Sequence, residues 1–262
     1  MSPRFARALV RAPAETFAAG LTTAGLGAPD LARARDQHAA YCRALERSGL
    51  EVVRLEPDPA HPDSTFVEDT ALVVGRRALL TRPGAASRRG EVDAIAPALA
   101  RCFPRLDRIE APGTLDAGDV CETGQLVLVG RSLRTNDEGI RQLAAWLAPA
   151  GLPLAVLDVR GLPGCLHLKS GLSDLGDGRL AVIDELLPHP ALAGFERLRV
   201  EPAEAYAANC VRLDDRVLIA AGFPRLRARL DALGCAVEAL DMSEFRKMDG
   251  GLSCLSLRLP PA

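Results

Sequence analysis

Hydrophobic and polar positions along the chain repeat one scheme: two short β-prone runs around a polar turn, then a stretch with helical spacing. Residues 70–81 read as strand, turn at 75–77 and strand, with a helix over 87–102. The same order recurs over 119–130, turning at 122–125, with its helix at 136–148. A third copy spans 172–184 around a turn at 176–178, followed by a shorter helical piece near 190–195. A fourth spans 209–221 around 214–215, with a helix at 224–233. Residues 250–259 supply one more strand, and an extended N-terminal segment completes that fifth unit by closing a ring. Short polar turns between apolar runs suit hairpins.

Interleaved helices put the chain in the α/β class, and similar units at long spacing predict radial repetition. A doubly wound open sheet is the competing fold. It lacks support, because the chain has no glycine-rich phosphate loop: Gly113 and Gly118 are two of the required glycines at the wrong spacing. No linker rich in proline, glycine or serine divides the chain, so residues 1–262 are expected to form one domain.

Composition narrows the function classes. Among 262 residues, 48% hydrophobic and 25% charged exclude extensive disorder. A net charge of −2 supplies no broad positive field, so neither nucleic acid nor a membrane surface is an expected partner. Seven scattered cysteines, an odd number without close pairing, argue for reduced thiols and against a disulfide framework or a zinc ribbon. Residues 1–21 carry arginine and alanine with no acid before Glu15, a faint likeness to a transit peptide, but they lack the apolar core of a secretory signal. A cytoplasmic protein is expected.

Four stretches carry candidate chemistry. Asp63, Glu68 and Asp69 surround an apolar pair ahead of a strand; they are either solvated turn residues or a cation-holding set, for which a planar guanidinium is well suited. Asp116 and Asp119 stand among glycines, either capping the next element or turning Asp116 into a cleft. His167 alternates with leucines, as in a half-buried strand, and is either a core residue or the best placed of four histidines for proton transfer. Gly250 and Gly251 precede Cys254, a turn able to present a thiol at a strand start; the thiol is either inert or a nucleophile.

At these stretches the chain resembles the dimethylarginine dimethylaminohydrolase family, of the guanidino-group-modifying (pentein) superfamily of five-bladed α/β propellers. The likeness runs from Phe5 to Leu257 through FVED at 66–69, RPGAASRRGE at 82–91, GTLDAGD at 113–119, RTN at 134–136, LHLKSGL at 166–172, AANC at 207–210 and KMDGGLSCLSLR at 247–258.

This resemblance implies a fold of ββαβ-type units in pseudo-fivefold order and a hydrolase converting asymmetric dimethylarginine or monomethylarginine to citrulline. It implies Cys254 as nucleophile, His167 as general acid and base, and Asp116 as the carboxylate orienting the histidine. Asp69, with Asp63 and Glu68, would hold the guanidinium; Arg88 and Arg134 would bind the α-carboxylate. Leu21 would lie on a mobile loop over the pocket, and Met248 would touch the substrate near the cysteine.

Two positions depart from the family pattern: bacterial members often carry Glu at the place of Asp116, and Met248 replaces a branched aliphatic residue. Lys169 stands where deiminases of the superfamily carry an acid, which favours methylated arginines over arginine. No metal or organic cofactor is implied; the expected partner is a small molecule, methylated arginine, with a homodimer left open. The alternatives are an arginine deiminase or amidinotransferase of the same superfamily, or a propeller that only binds.

Overall fold

The computed structural model describes residues 5–261, so residues 1–4 and 262 of the expected domain lie outside the described residues. Strand β1 (Arg7–Arg11) leads to helix α1 (Leu31–Arg47) and β2 (Glu51–Leu55). The next unit is β3 (Ala71–Val74), β4 (Arg77–Leu80), α2 (Glu91–Ala100) and β5 (Leu106–Arg108). It is followed by β6 (Val120–Glu122), β7 (Val127–Arg131), α3 (Asp137–Leu147) and β8 (Leu154–Asp158). The fourth stretch holds the short α4 (Leu168–Gly171), β9 (Leu172–Gly176), β10 (Arg179–Ile183) and β11 (Glu196–Val200). The chain ends with β12 (Val211–Leu213), β13 (Arg216–Ala220), α5 (Pro224–Ala232), β14 (Ala236–Leu240), α6 (Ser243–Arg246) and β15 (Leu257–Leu259).

These strands form five three-stranded sheets, ordered β3-β4-β5, β6-β7-β8, β9-β10-β11, β12-β13-β14 and β15-β1-β2. In each sheet an antiparallel pair is extended by a parallel strand that arrives after a crossover, the ββαβ plan. The fifth sheet joins both ends of the chain, with Leu9 opposite Leu257 and Leu9 also beside Val53, so the ring closes as the hydrophobic pattern predicts.

Local chemistry accounts for the elements. β9 and β10 are joined by Asp177 (φ 53°) and Gly178 (φ 74°), the paired positive φ that a tight hairpin needs to match strand twist. Middle strands carry a continuous apolar run beside a terminal arginine because both of their faces are covered; Val127, Leu128 and Val129 are fully buried, as are Leu180, Ala181 and Val182. α3 begins where the Asn136 side chain accepts from the Gly139 N–H at 2.8 Å, and its buried stripe is Ile140, Leu143, Trp146 and Leu147. Each such side chain contributes roughly 1.5–3 kcal/mol by leaving water.

The pattern misleads in four places. α1 falls in a stretch to which the pattern assigns no element, because its buried stripe is Ala34, His38, Tyr41, Cys42 and Leu45 and not a leucine-rich face. The helical piece near 190–195 is a single 3-10 turn, Pro190–Leu192. His167 is not in a strand: its backbone is extended for one residue and Leu168–Gly171 then turns as a helix, with the His167 N–H donating to Ser170 Oγ at 3.3 Å. Of 250–259, only Leu257–Leu259 is strand, and Cys254 lies in the 3-10 turn Ser253–Leu255 before it.

What positions the chemistry is the entry to the first strand of each sheet. Residues 63–70 lead into β3, 114–119 into β6, 167–171 into β9, 207–210 into β12 and 249–255 into β15. Fivefold arrangement gathers these segments from distant parts of the sequence around one axis.

Candidate active site

Glycines let the entry segments approach one another. A Cβ on Gly118 would stand 2.6 Å from Asp69 Oδ1 and 2.8 Å from His167 Nδ1, so no larger residue fits between those groups. The Gly118 N–H instead donates to Asp69 Oδ1 at 2.9 Å. Gly251 similarly yields to Asn209, which would meet a Cβ at 2.5 Å. The Asn209 amide then spans two segments, accepting from the Ser253 N–H at 2.9 Å and donating to the Lys169 carbonyl at 2.9 Å. Asn209 therefore fixes the turn that carries Cys254, a part the sequence marked only through its AANC string.

His167 Nε2 lies 3.0 Å from Asp116 Oδ2, and the other Asp116 oxygen accepts from the Gly84 N–H at 2.8 Å. Asp119 supports the same ring from behind: it accepts from Ser132 Oγ at 2.6 Å, Thr135 Oγ1 at 2.7 Å and the Leu168 N–H at 2.9 Å. Burial alone would strip the imidazole of its proton. The carboxylates of Asp69, Asp119 and Asp116 outweigh burial and raise His167 to about 9. Asp116 moves the opposite way: burial is overcome by His167 and Arg88, which hold it below the ordinary carboxylate range. Asp119, with burial dominant, rises to about 6.

Cys254 is half-buried in an acidic setting. Burial first, then Glu68 and Asp69, push its thiol up to about 12. Both shifts run in one direction, toward a neutral Cys254 thiol and a charged His167 imidazole in the free protein.

Two cavities meet at Cys254 and His167. A narrow slot of about 20 Å³ is lined by Leu21, Asp63, Asp69, Arg88, Arg134, Met248 and Asp249 along with both of them. That is room for little more than a water. The slot is narrow because residues 20–24 are tied across it. The Leu21 N–H donates to Asp63 at 3.0 Å, Thr22 Oγ1 to the Lys247 carbonyl at 2.7 Å, and both the N–H and hydroxyl of Thr23 to Asp249 Oδ2. The second cavity, about 630 Å³, opens on the other side of the same two residues.

Nine of the ten sequence-derived positions therefore gather around the slot: Cys254, His167, Leu21, Asp63, Asp69, Arg88, Arg134 and Met248 line it, and Asp116 holds the histidine from behind. Glu68 does not. Its carboxylate turns to the far side of the ring, 2.8 Å from Lys169 Nζ and 2.8 Å from Arg258 Nη2, and accepts from Ser253 Oγ at 2.7 Å. Two cations already pair with it, and it does not line the slot, although its charge still acts on Cys254.

The two arginines also differ. Arg88 is buried and committed, 2.6 Å from Asp69 and 2.8 Å from Glu91, whereas the Arg134 guanidinium makes no hydrogen bond or ion pair with another described residue. Glu91 was not read from the sequence; burial raises it to about 7 despite Arg88.

Asp69, Asp116 and His167 offer metal-ligand atoms within 4.8 Å of one another. Those atoms are engaged with Arg88, Gly84, Gly118 and each other, so the set is an interlocked proton-holding network. Among the described residues no helix is long and apolar enough to cross a membrane.

Comparison with known proteins gives a consistent neighbourhood. No family model matches the chain. An N(G),N(G)-dimethylarginine dimethylaminohydrolase of Pseudomonas aeruginosa is 44% identical over 255 residues, covering 97% of this chain and 99% of that protein. One from Streptomyces coelicolor is 38% identical over 254 residues, covering 97% and 96%. A crystal structure of the Pseudomonas aeruginosa protein, a cysteine-to-serine variant with citrulline bound, superposes with a TM-score of 0.94 at 43% identity, covering 97% of this chain and 99% of that one.

Proposed function

The chain belongs to the dimethylarginine dimethylaminohydrolase family, and on that premise we propose that it converts asymmetric dimethylarginine and monomethylarginine to citrulline through a covalent intermediate on Cys254. The observation that carries the residue roles is the convergence of Cys254, His167, Asp69 and Arg134 on one slot. A guanidinium carbon is a poor electrophile, so the reaction needs a strong nucleophile, a pocket for the cation and a protonated leaving group.

Asp63 and Asp69 supply the anionic wall for the guanidinium. Arg134, with its donors unspent, pairs the α-carboxylate; Arg88 contributes mainly by fixing Asp69. Segment 20–24 must lift for entry and re-form its ties over the amino-acid end, and Met248 closes the wall.

The binding charge also activates the thiol. His167 is protonated at neutral pH and cannot take the Cys254 proton, so that proton leaves to solvent as the substrate cation offsets Glu68 and Asp69. The thiolate forms an S–C bond to the guanidinium carbon. His167 then donates its proton to the methylated nitrogen as the C–N bond breaks, releasing dimethylamine or methylamine. An S-alkylthiouronium remains. The neutral imidazole next accepts a proton from water, the hydroxide adds to the same carbon, and the S–C bond breaks as the hydroxyl proton passes to solvent, giving citrulline and thiolate. Asp116 keeps the ring oriented in both halves.

Lys169 supports selectivity for methylated nitrogens. Its ammonium is spent on Glu68, and the one carboxylate lining the larger cavity, Asp249, is held by Thr23, so the outer guanidinium edge is unclamped and open to that cavity. The test is to measure citrulline and amine release from asymmetric dimethylarginine, arginine and agmatine. Equimolar citrulline and dimethylamine with weak turnover of arginine fits the proposal. Citrulline and ammonia from arginine as the main reaction would make the chain a deiminase, and dependence on an added amine would make it an amidinotransferase.

A further inference from the structure

The cavity beyond Cys254 is far larger than the reaction above requires. At about 630 Å³ it falls within the usual range for sites that enclose a whole small molecule, yet a dimethylamino group would occupy only a corner of it. Its position is specific. Cys254 and His167 line both cavities, while Asp63, Asp69, Arg88 and Arg134 line only the slot. A guanidinium carbon at Cys254, with its amino-acid end in the slot, must therefore direct its distal nitrogen and whatever that nitrogen carries into the chamber.

The chamber wall is suited to apolar matter. Leu162, Leu166, Ile183, Ala205 and Tyr206 contribute to it, and Leu26 and Leu133 stand at its edge. Among the described residues, the large hydrophobic side chains left exposed are Leu21, Leu26 and Leu133, the last at 85%, and all three edge the slot or the chamber. Exposed apolar groups gathered at one opening mark a binding region. Of the cations on the wall, Lys169 is paired with Glu68 and Arg160 with Asp158, which leaves Arg246 without an ion-pair partner among the described residues.

We propose that this chamber receives the Nω substituent, so that arginines carrying apolar Nω groups much larger than methyl, such as butyl or benzyl, are also substrates. The inference rests on the hydrolytic reading and extends it. The Cys254 sulfur bonds to the guanidinium carbon, the bond from that carbon to the substituted nitrogen breaks with a proton from His167, and the primary amine leaves into the chamber. Water completes the cycle as before, giving citrulline and butylamine or benzylamine. Cationic substituents are disfavoured by Arg246, whose guanidinium lies over the Tyr206 ring on the wall.

The experiment follows citrulline release by the full chain from asymmetric dimethyl-, Nω-butyl-, Nω-benzyl- and Nω-(2-aminoethyl)-arginine. Benzyl and butyl substrates should reach kcat/KM within about tenfold of the dimethyl substrate, and the aminoethyl compound should be at least about tenfold worse than butyl. Ala205→Phe should lower the ratio of benzyl to dimethyl turnover by about tenfold or more, a ratio that does not depend on how much variant is folded. Brisk dimethylarginine turnover with butyl and benzyl compounds slower by more than about a hundredfold would overturn the chamber assignment alone. Loss of turnover for every compound, dimethylarginine included, would overturn the hydrolytic reading beneath it.

Discussion

Replacing Asp116 by Asn probes the electrostatic centre of the site. Asp116 Oδ2 is 3.0 Å from His167 Nε2, and both groups are almost wholly removed from water. Raising the imidazole from 6.5 to about 9 amounts to roughly 3 kcal/mol in favour of the charged form, net of burial. Three carboxylates produce that net effect, Asp69 and Asp119 as well as Asp116. Removing one of them should lower the histidine by on the order of one to two pH units, toward its ordinary value.

The chain has only four histidines, so carbon or nitrogen NMR of labelled imidazoles resolves each titration. Wild-type His167 should titrate near 9 and buried His38 near 4, with only His167 moving in Asp116→Asn. The sign carries into stability. A folded value above the unfolded one gives stability fully present below about pH 6.5 and lost as pH rises through about 9. The difference in urea stability between wild type and variant should therefore shrink across that window. A His167 titration unchanged by the substitution, or one that rises, would refute the reasoning.

Other consequences follow from the same geometry. Arg88→Ala leaves Asp69 and Glu91 buried without their cation and should cost roughly 3–5 kcal/mol in denaturant unfolding, whereas Arg134→Ala should leave the midpoint near wild type and raise KM; equal destabilisation by both would contradict the division of labour. Alkylation of Cys254 by iodoacetamide should accelerate only at high pH in the free protein, and a bound unreactive guanidine of small size should move that rise to lower pH; no displacement would count against activation by substrate charge. Thr23→Val removes the hydroxyl bond to Asp249 and Asp249→Asn weakens both bonds, so both should loosen segment 20–24 and raise KM more than they lower kcat. Equal kcat and KM to wild type in both variants would show that the ties are incidental.

Much of this site could be read from the sequence because its parts are carried by short local strings. Cys254 after two glycines, His167 in LHLKSGL and Asp116 in GTLDAGD each keep their chemistry wherever the chain goes. The radial fold was legible for a related reason: hairpins declare themselves through turn residues such as Asp177 and Gly178.

What escaped was set by direction in space. Glu68 and Asp69 are adjacent, yet one faces Lys169 and Arg258 while the other faces the slot; a 3-10 turn over Val67–Thr70 sends them apart, and spacing in sequence does not encode that. Arg88 and Arg134 are chemically identical, and only the buried partner Glu91 distinguishes a structural guanidinium from a free one. The alternation around His167 suggested a strand because the leucines on either side are apolar for different reasons, Leu168 filling the core and Leu166 lining the cavities. The large chamber could not have been inferred, since its wall collects residues from 23 to 254.

The central claim is that Cys254 carries the reacting carbon. Acid quenching of the protein during turnover of asymmetric dimethylarginine, followed by mass spectrometry of the peptide containing Cys254, tests it directly. An added amidino-ornithine group on that cysteine, formed with loss of dimethylamine and absent in Cys254→Ala together with citrulline production, is the predicted result. Undiminished citrulline formation by Cys254→Ala, or an adduct located on another cysteine, would contradict it.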